Sequence, residues 1–147
     1  MHPIRPWLFI GKFSETQDDV LLRRREIGAM LQLADSVKQP GIPSLYVPVE
    51  DGEPLPPDLL RMGVEFVRLE KALKRNVLIA CGAGISRAAT FTIAVLKEEE
   101  GLSLLDAFRD VQARHPDALP HPALWASLCE YYGEKVPYAR LLENVKR

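Results

Sequence analysis

Short apolar runs in the first half of the chain predict the strands of a sheet. Residues 7–10, 45–49 and 77–80 are such runs, and 27–33 is a further short apolar segment. The run at 77–80 contains no polar residue, which is typical of a central strand buried on both faces. Pro48 lacks a backbone donor, so the strand at 45–49 is expected to lie at an edge of the sheet or to end there.

Elsewhere the apolar residues recur at helical spacing. The segment 58–73 is predicted to be an amphipathic helix that packs on the sheet, because its apolar residues recur every three or four positions. The residues of that apolar face are Leu59, Met62, Phe66, Leu69 and Leu73. A capping box of Ser103 and Asp106 begins another helix, which ends at His115-Pro116. Further helices are expected at 18–25, at 87–100, from Pro120/Pro122 to Tyr132, and in the tail that carries Val136, Leu141, Leu142 and Val145.

Strands in the first half, with helices between and after them, indicate an α/β fold. We therefore expect a single domain over residues 1–147, with a central, largely parallel sheet flanked by helices. The chain length of 147 residues and the hydrophobic content of 47% are sufficient for one core and exclude a disordered chain.

The charge balance excludes partners that are held by bulk positive charge. Nineteen Lys and Arg residues against twenty Asp and Glu residues leave a net charge of −1. We therefore expect no nucleic-acid partner and no membrane partner, and a bound anion must be held by a local site. Two cysteines, Cys81 and Cys129, are too few for a disulfide framework. Together with an N-terminus unlike a signal peptide, this favours a cytoplasmic protein.

The segment from Val77 to Arg87 contains the candidate chemistry. A buried strand is predicted to deliver Cys81 into a loop with two glycines, and a helix is predicted to begin directly after the loop. Such a loop turns successive backbone N–H groups inward and forms a nest for an anion. The helix N-terminus adds unpaired N–H groups and about half a positive charge at the same place. The predicted phosphate-binding residues are Gly82, Ala83, Gly84, Ile85, Ser86 and Arg87.

This arrangement suits attack by a thiolate on phosphorus, with a covalent cysteinyl-phosphate intermediate. Cys81 is the candidate nucleophile, since the dipoles that hold the anion also stabilise a thiolate. Arg87, six positions after Cys81, can bind two phosphate oxygens in bidentate fashion. Ser86 is placed where its hydroxyl could donate to the sulfur and make it a better leaving group when the cysteinyl-phosphate is hydrolysed. No metal and no cofactor are expected, because the loop and Arg87 supply the positive field.

The sequence CGAGISR, a Cys-x5-Arg motif directly after an apolar strand, resembles the active-site signature of protein tyrosine phosphatases, in particular their dual-specificity branch. WLFIG near the start resembles the opening strand of those domains. The segment GLSLLDAFRDVQARHPDALPHPALWASLCEYY resembles their helical second half. The resemblance spans roughly residues 4–132. It implies a small phosphatase with a shallow cleft that hydrolyses phosphotyrosine, with phosphoserine and phosphothreonine as further candidate substrates.

These phosphatases also carry an aspartate that serves as general acid and then as general base, on a loop about thirty residues before the cysteine. In this chain VPVEDGEP places Asp51 thirty positions before Cys81. The resemblance therefore implies that Asp51 has this role. Glu50, Glu53 and Asp58 are the alternative candidates.

The chain departs from the family pattern at two positions. Ala80 precedes the cysteine where the family usually has histidine, and His121 follows Pro120 where relatives often have asparagine. The histidine is thought to order the loop, so its absence favours a second hypothesis, a catalytically weak module that binds phosphorylated residues. A third hypothesis is a phosphatase for a non-protein phosphomonoester, such as a phosphoinositide or an RNA 5′-phosphate. The absence of lysine from the loop disfavours that hypothesis.

The resemblance also implies the partners of the site. Phosphorylated proteins or peptides are the expected substrates, and phosphate, sulfate or vanadate is expected to bind in the loop. The protein is expected to be a monomer.

Overall fold

Five strands form one sheet in the computed structural model, which describes residues 1–143. They are β1 (His2–Arg5), β2 (Leu8–Lys12), β3 (Ile27–Gln32), β4 (Ser44–Tyr46) and β5 (Asn76–Cys81). Their order across the sheet is β1-β2-β5-β3-β4, with β1 antiparallel to β2 and the remaining pairs parallel. The predicted α/β fold with a largely parallel sheet is confirmed.

Helices connect and cover the strands. They are α1 (Phe13–Thr16), α2 (Asp19–Arg24), α3 (Pro57–Ala72), α4 (Arg87–Glu100), α5 (Leu104–Arg114), α6 (Pro122–Tyr132) and α7 (Ala139–Leu142). Ser103 begins α5 as predicted, since its hydroxyl accepts a hydrogen bond from the N–H of Asp106 at 3.1 Å. Of the predicted tail helix, Leu141 and Leu142 lie in α7, Val136 precedes it, and Val145 lies outside the described residues.

β5 is the central strand of the sheet, and its two neighbouring strands fix the position of its carboxyl end. β5 lies between β2 and β3 and runs parallel to both, so the carboxyl ends of all three strands meet at one edge. The side chains of Val77, Leu78 and Ile79 are completely buried. α4, which follows β5 in the chain, is itself buried from Ala88 through Leu96. A buried strand followed by a buried helix holds the connecting loop from both sides.

The helix predicted over 58–73 is confirmed as α3, but of its predicted apolar face only Leu59 and Phe66 pack against the core, and both are partly buried. Met62, Leu69 and Leu73 are exposed by 43%, 60% and 53%. A neighbouring apolar row of the same helix, formed by Leu60, Gly63, Val64 and Val67, is buried instead. Gly63 explains the choice of this row. A Cβ atom at this position would lie 2.5 Å from Cε2 of Phe91, so glycine provides the space in which the ring of Phe91 packs.

Two strands differ from the sequence-based expectation. β4 covers Ser44–Tyr46 rather than residues 45–49, although the N–H of Val47 still donates to the carbonyl of Gln32 at 2.9 Å. Pro48 has no N–H to continue the ladder, and β4 is the edge strand that its proline predicted. β1 is an additional antiparallel edge strand that the hydrophobic pattern did not reveal.

Candidate active site

The loop after β5 places Cys81 beneath the start of α4. Cys81 is the last residue of β5 and is 3% exposed. The backbone N–H of Ala88, in the first turn of α4, donates to Sγ of Cys81 at 3.4 Å. This N–H is one of the groups at the helix N-terminus that have no acceptor within the helix, and it is paired with the sulfur instead. The strand, loop and helix predicted for this segment are therefore present in the order that the chemistry requires.

The loop approaches β2 so closely that Gly84 is required. Its φ angle is +71°, in the left-handed region that glycine adopts readily. A Cβ atom on Gly84 would also lie 2.8 Å from the carbonyl oxygen of Gly11. Both the backbone conformation and the contact with the end of β2 therefore exclude a side chain at this position.

The loop carbonyls are bound from outside by groups of the surrounding elements. The carbonyl of Gly82 accepts from the N–H of Phe13 (3.2 Å), and the carbonyl of Gly84 lies 2.7 Å from the ring Nε2 of His115. The carbonyl of Ile85 accepts from the N–H of Leu119 (3.2 Å), and the carbonyl of Ser86 accepts from the N–H of Thr90 (3.0 Å). Carbonyls that are held outward fix the orientation of the peptide planes between them. Within residues 1–143, the N–H groups of residues 82–85 have no protein acceptor. They are the groups that can bind an anion.

The guanidinium of Arg87 lies against the same loop. Its Nη2 atom is 3.1 Å from the position that a Cβ of Gly82 would occupy. Its Nη1 atom donates to the carbonyl of Val49 at 3.0 Å. That contact holds the long side chain in one geometry and also ties it to the segment that carries Asp51.

Asp51 lies beside the loop, joined to it by Ser86. The hydroxyl of Ser86 donates to Oδ1 of Asp51 at 2.7 Å and accepts from the N–H of His121 at 2.9 Å. Sequence reasoning expected this hydroxyl to donate to Cys81, whereas in the structure it donates to the carboxylate. The residues that the structure brings together are thus Cys81, Ser86, Arg87 and Asp51.

The alternative acids are placed differently. Glu50 and Glu53 are exposed, and within residues 1–143 neither forms a hydrogen bond with the loop. Asp58 lies in the first turn of α3, where its Oδ1 is 3.2 Å from Nη1 of Arg61. Asp51 is the candidate that contacts the phosphate loop.

Sequence reasoning missed two side chains next to the site. Tyr138 is close enough to Asp51 that, after burial as the larger cause, the carboxylate raises the pKa of its phenol. The phenol donates to the carbonyl of Pro120 at 2.5 Å, which attaches the tail to the segment before α6. The other is His115, whose ring reaches Gly84. His115 lies 31 positions after Gly84 in the chain, and Tyr138 lies still farther from Asp51.

Metal-ligand clusters, membrane-spanning helices and cysteine pairing are further features that would bear on function. Residues 1–143 contain no group of three or more His, Cys, Asp or Glu side chains placed to bind a metal ion. None of their helices combines the length and hydropathy needed to cross a membrane. Cys81 and Cys129 are both free thiols, and the Cys129 thiol lies 3.8 Å from the carbonyl of Val136.

Comparisons with known proteins agree with this geometry. The sequence matches the family model of the dual specificity phosphatase catalytic domain over residues 8–134. It is 31% identical over 134 residues to dual specificity protein phosphatase 8 of Homo sapiens, a match that covers 87% of this chain and 21% of that protein. The chain spans about a fifth of the length of the first curated relatives that it matches.

Solved structures share the fold over most of the chain. The crystal structure of human DUSP28 superposes with a TM-score of 0.83 at 27% identity, covering 90% of this chain and 96% of that one. Human tyrosine phosphatase-like serine/threonine/tyrosine-interacting protein gives a TM-score of 0.82 at 26% identity, covering 90% and 95%.

A Cys-x5-Arg loop at the carboxyl end of a central parallel strand defines a member of the protein tyrosine phosphatase superfamily. More narrowly, the chain belongs to the dual specificity phosphatase catalytic domain family, and the resemblance inferred from CGAGISR is confirmed.

Proposed function

We propose that the protein is a cysteine-dependent phosphatase that hydrolyses phosphotyrosine and phosphoserine/threonine monoesters on proteins through a cysteinyl-phosphate intermediate. The single observation that carries this proposal is the placement of Cys81 under unpaired loop N–H groups, with Arg87 beside them. A module that only binds phosphate does not require a nucleophilic sulfur beneath the loop N–H groups.

In the first step, Sγ of Cys81 attacks phosphorus in line with the leaving oxygen. The S–P bond forms as the P–O bond to the substrate breaks. The loop N–H groups and the guanidinium of Arg87 bind the equatorial phosphoryl oxygens, where charge accumulates in the transition state. Asp51, in its protonated form, gives its proton to the leaving phenolate or alkoxide.

In the second step, water attacks the phosphorus of the cysteinyl-phosphate. Asp51, now a carboxylate, accepts a proton from that water, and the S–P bond breaks with both electrons returning to sulfur. The hydroxyl of Ser86 contacts Asp51 in the structure. Rotation of this hydroxyl toward Cys81 would supply a donor to the departing thiolate. The N–H of Ala88 already provides one donor to the same sulfur.

The proposed substrate class follows from the surroundings of the loop. Gly82, Ala83 and Ile85 contribute no charged side chain around the loop N–H groups, and the apolar side chain of Ile85 is 37% exposed. Uncharged side chains at these positions suit a single phosphate on a peptide side chain better than a lipid headgroup with several phosphates, because each further phosphate would require further cationic groups. This favours phosphorylated proteins or peptides over phosphoinositides and RNA ends.

Phosphate release from synthetic peptides tests this function. Peptides that carry phosphotyrosine, phosphoserine or phosphothreonine are incubated with the reduced protein in excess chelator, with Cys81→Ser as the control. We expect release by the wild type and none by the variant, while the variant still binds the peptide because the loop N–H groups and Arg87 remain. Undiminished release by Cys81→Ser would overturn the mechanism.

Binding without turnover is the second candidate, and a specific likeness favours it. The fold matches that of human tyrosine phosphatase-like serine/threonine/tyrosine-interacting protein at a TM-score of 0.82, and Ala80 replaces the family's usual histidine. The same peptides distinguish the candidates. Saturable retention of a phosphopeptide by the wild type, without any phosphate release, would establish the binding module.

A further inference from the structure

A histidine outside the signature contacts the phosphate loop. His115 follows α5 and is only 3% exposed. Its Nε2 atom lies 2.7 Å from the carbonyl oxygen of Gly84. Because a carbonyl can only accept, Nε2 carries the proton in this contact. Nδ1 of the same ring is buried without a partner within residues 1–143. The buried ring therefore makes one side-chain hydrogen bond, and that bond is to the loop.

This contact differs in kind from the others that orient the loop. The carbonyls of Gly82 and Ile85 accept from backbone N–H groups, which any residue at the donor position except proline would supply. The carbonyl of Gly84 instead depends on the identity of one side chain. Gly84 is also the loop residue with a positive φ, so its peptide planes set how the neighbouring N–H groups face the anion.

The local structure fixes where the ring points. His115 ends α5 with a non-helical backbone, φ −143° and ψ 83°, and the proline that follows it disfavours the helical region at this position. Its own N–H donates to the carbonyl of Val111 at 2.9 Å. The ring of His2 stacks on it with the centroids 3.7 Å apart and an interplanar angle of 12°. Burial, and then the neighbouring His115, lower the pKa of His2, so a neutral ring covers His115 at pH 7.

We infer that His115 is a positioning residue for phosphate binding, whose Nε2–H holds the Gly84 carbonyl outward so that the loop N–H groups face the substrate. Together with the N–H groups of Leu119 and His121, it makes the segment after α5 bind three consecutive loop residues, 84 to 86. The inference rests on the phosphatase function proposed above and deepens it. His115 acts through Gly84 and does not itself touch the reacting atoms.

Two variants separate the donor from the ring. His115→Phe keeps a flat ring against His2 and removes the donor. His115→Gln loses the ring but places an amide N–H near the position of Nε2. Val111→Ala is the matched control, because it weakens the buried face of α5 without removing a contact to the loop. Vanadate inhibition constants and kcat/KM for para-nitrophenyl phosphate are measured well below every melting temperature.

We expect His115→Phe to weaken vanadate binding and kcat/KM by about tenfold or more, since a buried carbonyl loses its donor. His115→Gln and Val111→Ala are expected to stay within about threefold of the wild type. A folded His115→Phe protein with wild-type vanadate affinity would overturn the inference, as would His115→Gln impaired as severely as His115→Phe. A wild type that neither turns over substrate nor binds vanadate would refute the proposed function instead.

A measurement on the unmodified protein keeps the inference testable if a variant does not fold. Long-range ¹H–¹⁵N spectra report which ring nitrogen of a histidine carries the proton. We expect a protonated Nε2 in His115, with a signal that shifts when vanadate is added. A neutral ring protonated at Nδ1 alone would contradict the hydrogen bond to Gly84.

Discussion

The hydroxyl of Ser86 donates a hydrogen bond to Oδ1 of Asp51 across 2.7 Å, although the two residues are 35 positions apart in the chain. This bond joins the acid-bearing segment to the phosphate loop. A second hydrogen bond, from Arg87 to the carbonyl of Val49, links the same two segments. The loop proposed to bind phosphate and the segment proposed to supply the proton are therefore held together by these two hydrogen bonds.

Replacing the acid should affect substrates according to their leaving groups. Asp51→Asn keeps an oxygen that can accept from Ser86 but cannot give a proton to the leaving oxygen. We expect kcat for phenyl phosphate to fall by about 10²–10³-fold, and kcat for esters of strongly acidic phenols to change far less.

The neighbouring carboxylates provide the control for this experiment. Glu50→Gln and Glu53→Gln remove charge from the same exposed turn and should leave both rates nearly unchanged. An equal loss with good and poor leaving groups in Asp51→Asn would show that the proton comes from another residue.

The shared hydroxyl should matter most in the second step. In Ser86→Ala the sulfur of Cys81 loses a candidate donor while the loop N–H groups remain. We expect kcat to fall about tenfold with kcat/KM nearly unchanged, and a burst of phenol release in rapid mixing.

Ser103→Ala makes a suitable comparison, because Ser103 caps the start of α5 and, within residues 1–143, its hydroxyl is hydrogen-bonded to the N–H of Asp106 and not to the loop. Its loss should cost about 1 kcal/mol of unfolding free energy and leave both kinetic constants unchanged. If Ser86→Ala lowered kcat/KM as much as kcat, its role would lie in the first step.

A pair of glycine substitutions isolates the close contact between the loop and β2. Gly84 and Gly133 have φ angles of +71° and +66°, but a Cβ on Gly133 would have no atom of residues 1–143 within 4 Å. Gly133→Ala should therefore cost only the backbone strain, about 1–2 kcal/mol by thermal or chemical unfolding. Gly84→Ala should cost more than this and abolish phosphate turnover. Equal stability losses, with activity retained in both variants, would contradict the close contact between Gly84 and the carbonyl of Gly11.

The ion pairs between α3 and α4 give a prediction of pH dependence. Hydrogen bonds from Lys71 and then from Arg68 hold the pKa of Glu99 below its usual value. A lowered carboxyl pKa stabilises the folded state above the usual value, and this contribution disappears as the pH falls through the folded-state pKa. Glu99→Gln should therefore unfold about 1 kcal/mol more easily at pH 7, with the difference shrinking in acid.

Glu65, which is 71% exposed and 3.8 Å from Arg61, is the control for that measurement. Glu65→Gln should change the unfolding free energy by only a few tenths of a kcal/mol at any pH. A stability difference for Glu99→Gln that stayed constant down to strongly acidic pH would mean that ionisation of Glu99 is not its cause.

The phosphate loop could be predicted from the sequence because its parts are contiguous. Cys81, two glycines and Arg87 lie within seven residues, and the flanking strand and helix are each apolar enough to be recognised. The family motif then placed Asp51 near the loop. The partner of Ser86 could not be predicted, since a hydroxyl can turn toward either the sulfur or the carboxylate.

The face of α3 shows why packing was harder to predict than the helix itself. Two apolar rows lie side by side on this helix, and hydrophobicity alone favoured the row with Phe66 and Leu69. The fold buries the row with Gly63, because the absence of a side chain there admits Phe91 of α4. Likewise, His115 gave no signal of its own, because its contact with Gly84 depends on how α5 ends against the loop.

Trapping of the intermediate tests the central claim, attack by Cys81 on phosphorus, most directly. The protein is mixed with para-nitrophenyl phosphate, quenched within milliseconds, digested and analysed by mass spectrometry, with Cys81→Ser alongside. We predict that the peptide containing Cys81 gains the mass of one phosphoryl group, and that the gain is absent from the variant. Rapid turnover without this adduct, or a phosphoryl group on a different residue, would contradict the mechanism.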